Sequence, residues 1–119
     1  MNRFKDLNKK VIQWANDKGI LEKATPFAQI KKTEEEVAET KDAILAQDLG
    51  AEFYINKKNN KVNTQEEILD GFGDILVTVL IGCKMQNINP LDALEVAYNI
   101  ISKRTGEMKN GVFVKSEDL

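Results

Sequence analysis

Apolar residues recur at helical spacing from the start of the chain. Phe4, Leu7, Val11, Ile12 and Trp14 form a broad stripe over roughly Arg3 to Lys18, and Gly19 is the natural stop. A second helix is predicted from Thr25, an N-cap followed by Pro26 at the first helical position, to about Asp48 before Gly50. At about 100° per residue, Phe27, Ile30, Val37, Ala38, Ile44 and Leu45 share one face of it, the expected core stripe. Glu35, Glu36, Glu39 and Asp42 gather on a neighbouring arc with Lys32 among them, and Glu34 falls on the apolar side. A third helix opens at Thr64, where Glu67 completes a capping box, and runs to about Met85. Phe72, Ile75, Leu76, Val77, Val79, Leu80 and Ile81 surround it on nearly every side, which predicts a buried central helix. The fourth starts at Asn89 with Pro90 behind it and Asp92 in its first turn, and ends near Gly106.

The connection Leu49 to Asn63 is longer than most in a compact domain. Its first part, Ala51 to Ile55, suits an extended strand, and Lys57 to Lys61 reads as a solvated turn. In the tail, Val112, Phe113 and Val114 form an apolar triplet that must pack on something. The predicted fold is all-α: one domain over residues 1–119, a small four-helix bundle.

Composition narrows the chemistry. The chain has 119 residues, 42% hydrophobic and 30% charged, the balance of a folded single domain rather than a disordered chain. A formal charge of −2 gives no global attraction to nucleic acid. With no histidine, Ser-His and Cys-His catalysis and His-containing metal sites are excluded. The one cysteine, Cys83, sits in an apolar run and reads as a packed thiol. The N-terminal stretch is polar, without a signal-peptide pattern. The longest apolar run, Ile75 to Ile81, is too short to span a bilayer, so no membrane association and a cytoplasmic location are expected. What remains is carboxylate, lysine, arginine and amide, a set suited to hard metal ions and phosphate.

The acids are concentrated where that chemistry would need them. Residues 33–74 hold eleven acids and four bases, whereas residues 1–32 hold three acids and eight bases. Like charges one helical turn apart repel by roughly 0.2–0.5 kcal/mol per pair, so the arc on the second helix is destabilising unless a cation binds or solvent absorbs it. Asp70 and Asp74 share a face at the start of the third helix, with Glu67 a third acid on that arc. Carboxylates entering a buried helix are expensive unless paired or metal-bound. Gly71 and Gly73, each costing roughly 1 kcal/mol against alanine, mark a close approach to the backbone, by a ligand or by a neighbouring helix. Two facing acidic arcs with no histidine describe a Mg²⁺ or Mn²⁺ site. Asn99, Lys103 and Arg104, near the end of the fourth helix, suit its dipole and, beside a metal, would clamp phosphate.

Taken together, Gln29-x-x-Lys32-x-x-Glu35-Glu36-x-x-Glu39, the helix reading Gly73-Asp74-Ile75-Leu76-Val77, and the ending Lys103-Arg104-x-Gly106-x-Met108-x-Asn110-Gly111-Val112-Phe113-Val114 resemble the all-α nucleotide pyrophosphohydrolase superfamily. Within it the chain is most similar to the short MazG-like proteins, relatives of the dimeric dUTPases and dCTPases; Trp14, Gly19-Ile20-Leu21 and Thr25-Pro26 add to the likeness. The family's second motif is Glu-x-x-Asp. Alignment on Asp74 places Gly71 at its glutamate, with Asp70 as the substitute; a register on Glu67 and Asp70 fits the letters but lies a turn early against the apolar run.

The resemblance implies a four-helix MazG-like bundle that assembles as a dimer or tetramer. It implies hydrolysis of a nucleoside triphosphate between its α- and β-phosphates with Mg²⁺ or Mn²⁺. Glu36, Glu39, Asp70 and Asp74 would ligate the metal, and Glu35 would ligate, orient or deprotonate the attacking water. Lys32, Asn99, Lys103 and Arg104 would hold the polyphosphate, and Trp14 would stack on the base. The competing expectation is a non-catalytic helical module whose acidic face binds a partner.

Overall fold

The computed structural model describes residues 2–119. In chain order it contains α1 (Arg3–Asp17), α2 (Ile20–Lys23), α3 (Pro26–Asp48), strands β1 (Phe53–Ile55) and β2 (Lys61–Asn63), α4 (Thr64–Met85), α5 (Pro90–Ile101), strands β3 (Gly106–Lys109) and β4 (Val112–Lys115), and a closing 3-10 turn, Ser116–Asp118. The chain is mostly helical, with two small antiparallel hairpins that an all-α reading leaves out. Among the described residues, no helix is long and apolar enough to cross a membrane.

Short polar side chains start the helices by accepting otherwise unpaired N–H groups. Asn2 accepts from Lys5 and Thr25 from Ala28, both at 3.1 Å. Asn89 accepts from Leu91 at 2.8 Å. The cap of α4 lies one residue before the predicted Thr64: Asn63 Oδ1 accepts from Glu66 N–H at 3.0 Å, and Thr64, only 2% exposed, is already helical. Gly19, at φ 79°, turns the chain from α1 into α2, a single helical turn that the stripe analysis does not contain.

The chain forms two compact units, Met1–Asn87 and Ile88–Leu119. In the first, α3 packs along α4, and α1 packs on α4 as well. Two contacts fix the pairing of α3 with α4. Gln29 Nε2, 6% exposed, donates to the Thr78 carbonyl at 3.1 Å. Further along α3, Thr40 lies against Gly71, so closely that a Cβ added at Gly71 would overlap its Oγ1. Advancing along α3 therefore retreats along α4: the pair is antiparallel, with the β1–β2 hairpin in its connection. Thr40 Oγ1 is itself satisfied by the Glu36 carbonyl at 2.8 Å.

This close approach changes which residues are buried. The core of α3 is Gln29, Thr40, Ala43 and Ala46, with Ala15 and Ile81 from its neighbours. The expected stripe is displaced: Phe27, Ile30, Val37 and Leu45 are exposed, and Ala38 and Ile44 are half-buried. Small side chains occupy the seam because the backbones come too near for large ones. Nor is α4 buried all round. Gly71, Thr78 and Ile81 face the seam, while Leu69 (75% exposed), Phe72, Leu76 and Val79 face outward, because this chain covers only part of the helix.

In the second unit α5 stops at Ile101, short of the predicted Gly106. The Ser102 hydroxyl donates to the Asn99 carbonyl at 3.1 Å, and Arg104 N–H reaches back only to Ile101. Asn110 and Gly111, at φ 51° and 83°, form the two-residue turn between β3 and β4. The apolar triplet of the tail is β4 itself, and the Phe113 ring lies over Gly106, where a Cβ would overlap it.

The two glycines of α4 should respond oppositely to alanine. Gly71→Ala forces a methyl into Thr40 and should lower stability by about 1–3 kcal/mol, with partial recovery in Thr40→Ala/Gly71→Ala. Nothing lies near a Cβ at Gly73, so Gly73→Ala should raise stability by about 1 kcal/mol through helix propensity. Urea unfolding of the variants measures both.

Candidate functional site

The antiparallel register turns two acidic arcs into facing walls. With Thr40 opposite Gly71, Glu39 and Asp70 lie to either side of that contact, Glu36 stands about level with Asp74 one turn back along α3, and Asp42 lies toward Glu67 on the other side. All six line one cleft of about 350 Å³, whose remaining wall is the β1–β2 hairpin with Tyr54, Asn56, Lys57, Lys58 and Asn60. Six carboxylates against two lysines give the cleft a formal charge of −4, in a chain whose net charge is −2. Lys57 Nζ lies 3.9 Å from Asp42 Oδ2, a long pair that only partly offsets this.

The acids reach the cleft with different freedom. Glu36 is the most confined, its side chain 13% exposed, with Lys32 Nζ 3.5 Å from Oε1. The same ammonium lies 3.2 Å from Glu35 Oε2. The hydrogen bond to Glu35 and the two carboxylate charges hold the Lys32 pKa above its ordinary value despite partial desolvation. The folded chain therefore favours the Lys32 cation, and that contribution is present below about pH 10.5 and lost as Lys32 deprotonates. Lys32 and Glu35 do not line the cleft; they brace Glu36 from beside it. Asp70 and Asp74 are exposed, so the expected penalty for acids entering a buried helix does not arise.

Trp14 lies elsewhere in the same unit. With Leu7, Lys10, Val11 and Val77 it lines a second, largely apolar cleft of about 370 Å³ between α1 and α4. Asp74 lines both clefts and so joins them. Asn99, Lys103 and Arg104 belong to the second unit. Asn99 is on α5 while Lys103 and Arg104 follow its end, so the three do not share one helix. Lys103 and Arg104 line a cleft of that unit with Thr105, Lys115, Ser116 and Glu117.

Of the ten residues singled out from the sequence, the acidic cleft contains Glu36, Glu39, Asp70 and Asp74. Asp42 and Glu67 join them, both from the same acidic arcs. Tyr54, Asn56, Lys57 and Lys58 carry local signals of a strand and a turn but none of a site, since only the hairpin's position brings them to the acids. As arranged, no three acidic side chains among the described residues converge in metal-ligating geometry. The donor set nevertheless fits a hard divalent cation: oxygen ligands alone, from two helices, with Glu39, Asp42, Asp70 and Asp74 on exposed side chains. Compared with protein-family models, curated proteins and solved structures, the chain matches none.

Tyr54 senses this field. Burial, and then the charges of Glu67, Asp42 and Glu39, push its phenol above the ordinary value of 10.0. Stability tied to the neutral phenol is thus present below pH 10 and lost as Tyr54 ionises. Tyr98 is the other tyrosine, so the absorbance titration of Tyr98→Phe reports Tyr54 alone. Its midpoint should fall with Glu67→Gln yet stay above 10, because burial is the larger cause; an unmoved midpoint would separate Glu67 from the cleft.

Proposed function

We propose that the chain is a metal-dependent nucleoside triphosphate pyrophosphohydrolase of the MazG-like kind, converting a (deoxy)nucleoside triphosphate and water to the monophosphate and pyrophosphate. The observation that carries this reading is the meeting of Glu36, Glu39, Asp70 and Asp74 on opposite walls of one cleft. The sequence pattern selects those four residues without knowledge of the register that brings them together. Carboxylates that only solvate a surface gain nothing by facing one another at −4.

Glu36, Glu39, Asp70 and Asp74 would hold Mg²⁺ or Mn²⁺, which when bound neutralises phosphate oxygens and makes water a stronger acid. The protein's own groups position the rest. Trp14 offers a ring face to the base, with Leu7, Val11 and Val77 excluding water beside it. Because Asp74 borders both clefts, a nucleotide seated on Trp14 runs its phosphates past Asp74 between the acidic walls. Water attacks the α-phosphorus, the bond from that phosphorus to the α–β bridging oxygen breaks, and pyrophosphate leaves with the electron pair. The proton from water passes to a cleft carboxylate. Lys32 holds Glu36 against its wall, and Glu35 holds Lys32. The reading uses the first unit alone.

Self-association belongs to the same proposal. Leu69, Phe72, Leu76 and Val79 are exposed at a 3-4-3 spacing along α4, and Leu91, Leu94, Tyr98 and Ile101 repeat that spacing along α5. Such seams suit helices of a second copy, giving a dimer or tetramer. The competing reading, a non-catalytic module that binds a partner through its acidic face, draws on the lack of convergence among the acids.

Pyrophosphate release from a panel of NTPs and dNTPs, with Mg²⁺, Mn²⁺ or EDTA, decides between them. Metal-dependent release is expected, and Glu39→Gln should abolish it with helical content unchanged, since Glu39 is exposed. Mn²⁺ at about a hundredfold above Kd should stabilise the wild type by about 2.7 kcal/mol, and Glu39→Gln or Asp70→Asn should largely remove that gain. No release from any nucleotide by the folded protein would favour the binding module. Light scattering should give a dimer or tetramer that Leu76→Asp weakens; a wild-type monomer at micromolar concentration would remove this part of the proposal.

A further inference from the structure

Among the residues lining the acidic cleft, only Lys57 and Lys58 are cationic, and both come from the turn of the β1–β2 hairpin. We propose that this turn is the arm that grips the leaving group: Lys57 and Lys58 hold the β- and γ-phosphates, and Asn56 is a positioning residue that fixes the turn presenting them. The inference rests on the pyrophosphohydrolase reading and extends it to a segment for which the family motif makes no provision.

Direction along the cleft gives the first argument. The Trp14 cleft joins it at Asp74, level with Glu36, while Lys57 lies by Asp42 at the other end. From the level of Glu36 to that of Asp42 is six residues of helix, about 9 Å, a length that suits a phosphate chain leaving the base at one end. Carboxylate walls repel bare phosphate, so the most anionic end of the substrate settles where ammonium groups wait. The second argument is the turn's construction. Asn56 Oδ1 accepts from both Lys58 N–H and Asn60 N–H at 3.0 Å. Asn56 N–H donates to the Asn60 carbonyl, and Asn59 N–H to the Asn56 carbonyl, each at 2.9 Å. Asn59 takes a left-handed φ of 64° to close it. These bonds fix the backbone of the turn, and with it the position from which Lys57 and Lys58 extend beside the cleft.

Calorimetric titration of inorganic pyrophosphate with Mn²⁺ tests this without turnover. Wild type should bind, Lys57→Ala/Lys58→Ala should weaken binding by at least about tenfold, and Lys57→Arg/Lys58→Arg should retain most of it. Asn56→Ala should give a smaller loss with the lysines intact. In turnover, the double alanine variant should raise KM for the triphosphate while inhibition by the monophosphate stays unchanged, because the monophosphate lacks the gripped groups. Both lysines are exposed, and an unchanged circular dichroism spectrum confirms folding. Unchanged pyrophosphate affinity in the double alanine variant, or no binding by the wild type, overturns the proposal. If an active wild type shows either result, the hydrolase reading stands without this arm. If the wild type binds pyrophosphate through the lysines yet hydrolyses no nucleotide, the hydrolase reading falls and takes the leaving-group role with it, leaving the turn as a pyrophosphate-binding site.

Discussion

Thr40 seated on Gly71 is the contact on which the rest of the first unit depends. It brings two helical backbones close enough that only small groups fit at that point, and it sets their register. A shift of α3 by one turn would re-pair the two acidic arcs and carry Gln29 away from the Thr78 carbonyl. The same contact decides what is left outside. A seam filled by Thr40, Ala43, Ala46 and Gly71 cannot also enclose Phe27, Val37 or Leu45. The exposed apolar residues and the acidic walls are two results of one choice of small residues.

The electrostatics run against the packing. Bringing α3 and α4 together also brings six carboxylates together, and the chain answers with few cations of its own: Lys32 beside Glu36 and Lys57 by Asp42. Its folded state is thus already biased toward whatever positive charge the cleft can take up. A cation bound there, as proposed, would do more than ligate, because it would offset like charges that the helix pairing brings together. In this respect the stability of the fold and the proposed chemistry share a single term.

Much of the first unit is legible in the amino-acid sequence. Helix starts at Thr25 and Asn89 follow from local capping chemistry, and the acidic arcs from helical periodicity, because both depend on neighbours within a turn or two. The extended segment around Phe53 and the turn after it also carry local signals. The choice between Thr64 and Asn63 as cap is a difference of one hydrogen bond, which letter patterns do not resolve. The displaced core stripe has a different cause. Periodicity reports where large apolar residues lie, and it counts alanine, threonine and glutamine as weak evidence even where they fill the seam. Asn110-Gly111 is a strong hairpin signal, masked by the apolar triplet that follows it. Tyr54, Lys57 and Lys58 lie beyond local reasoning, since their place in the cleft depends on how the long connection folds back.

The hairpin between α3 and α4 has a bearing on how the protein comes into being. Every group of the acidic cleft lies between Glu36 and Asp74, one uninterrupted stretch of chain. The helices that form it are successive, and β1 and β2 zip the intervening loop shut from its own turn. The β1–β2 pairing is local in sequence and loses little chain entropy on closure, and it shortens the free connection that the longer-range pairing of α3 with α4 has to close. On the ribosome, the two acidic walls can meet before α5 has left the exit tunnel. The cleft is therefore one continuous stretch of chain, and all of its lining residues are available before α5 is.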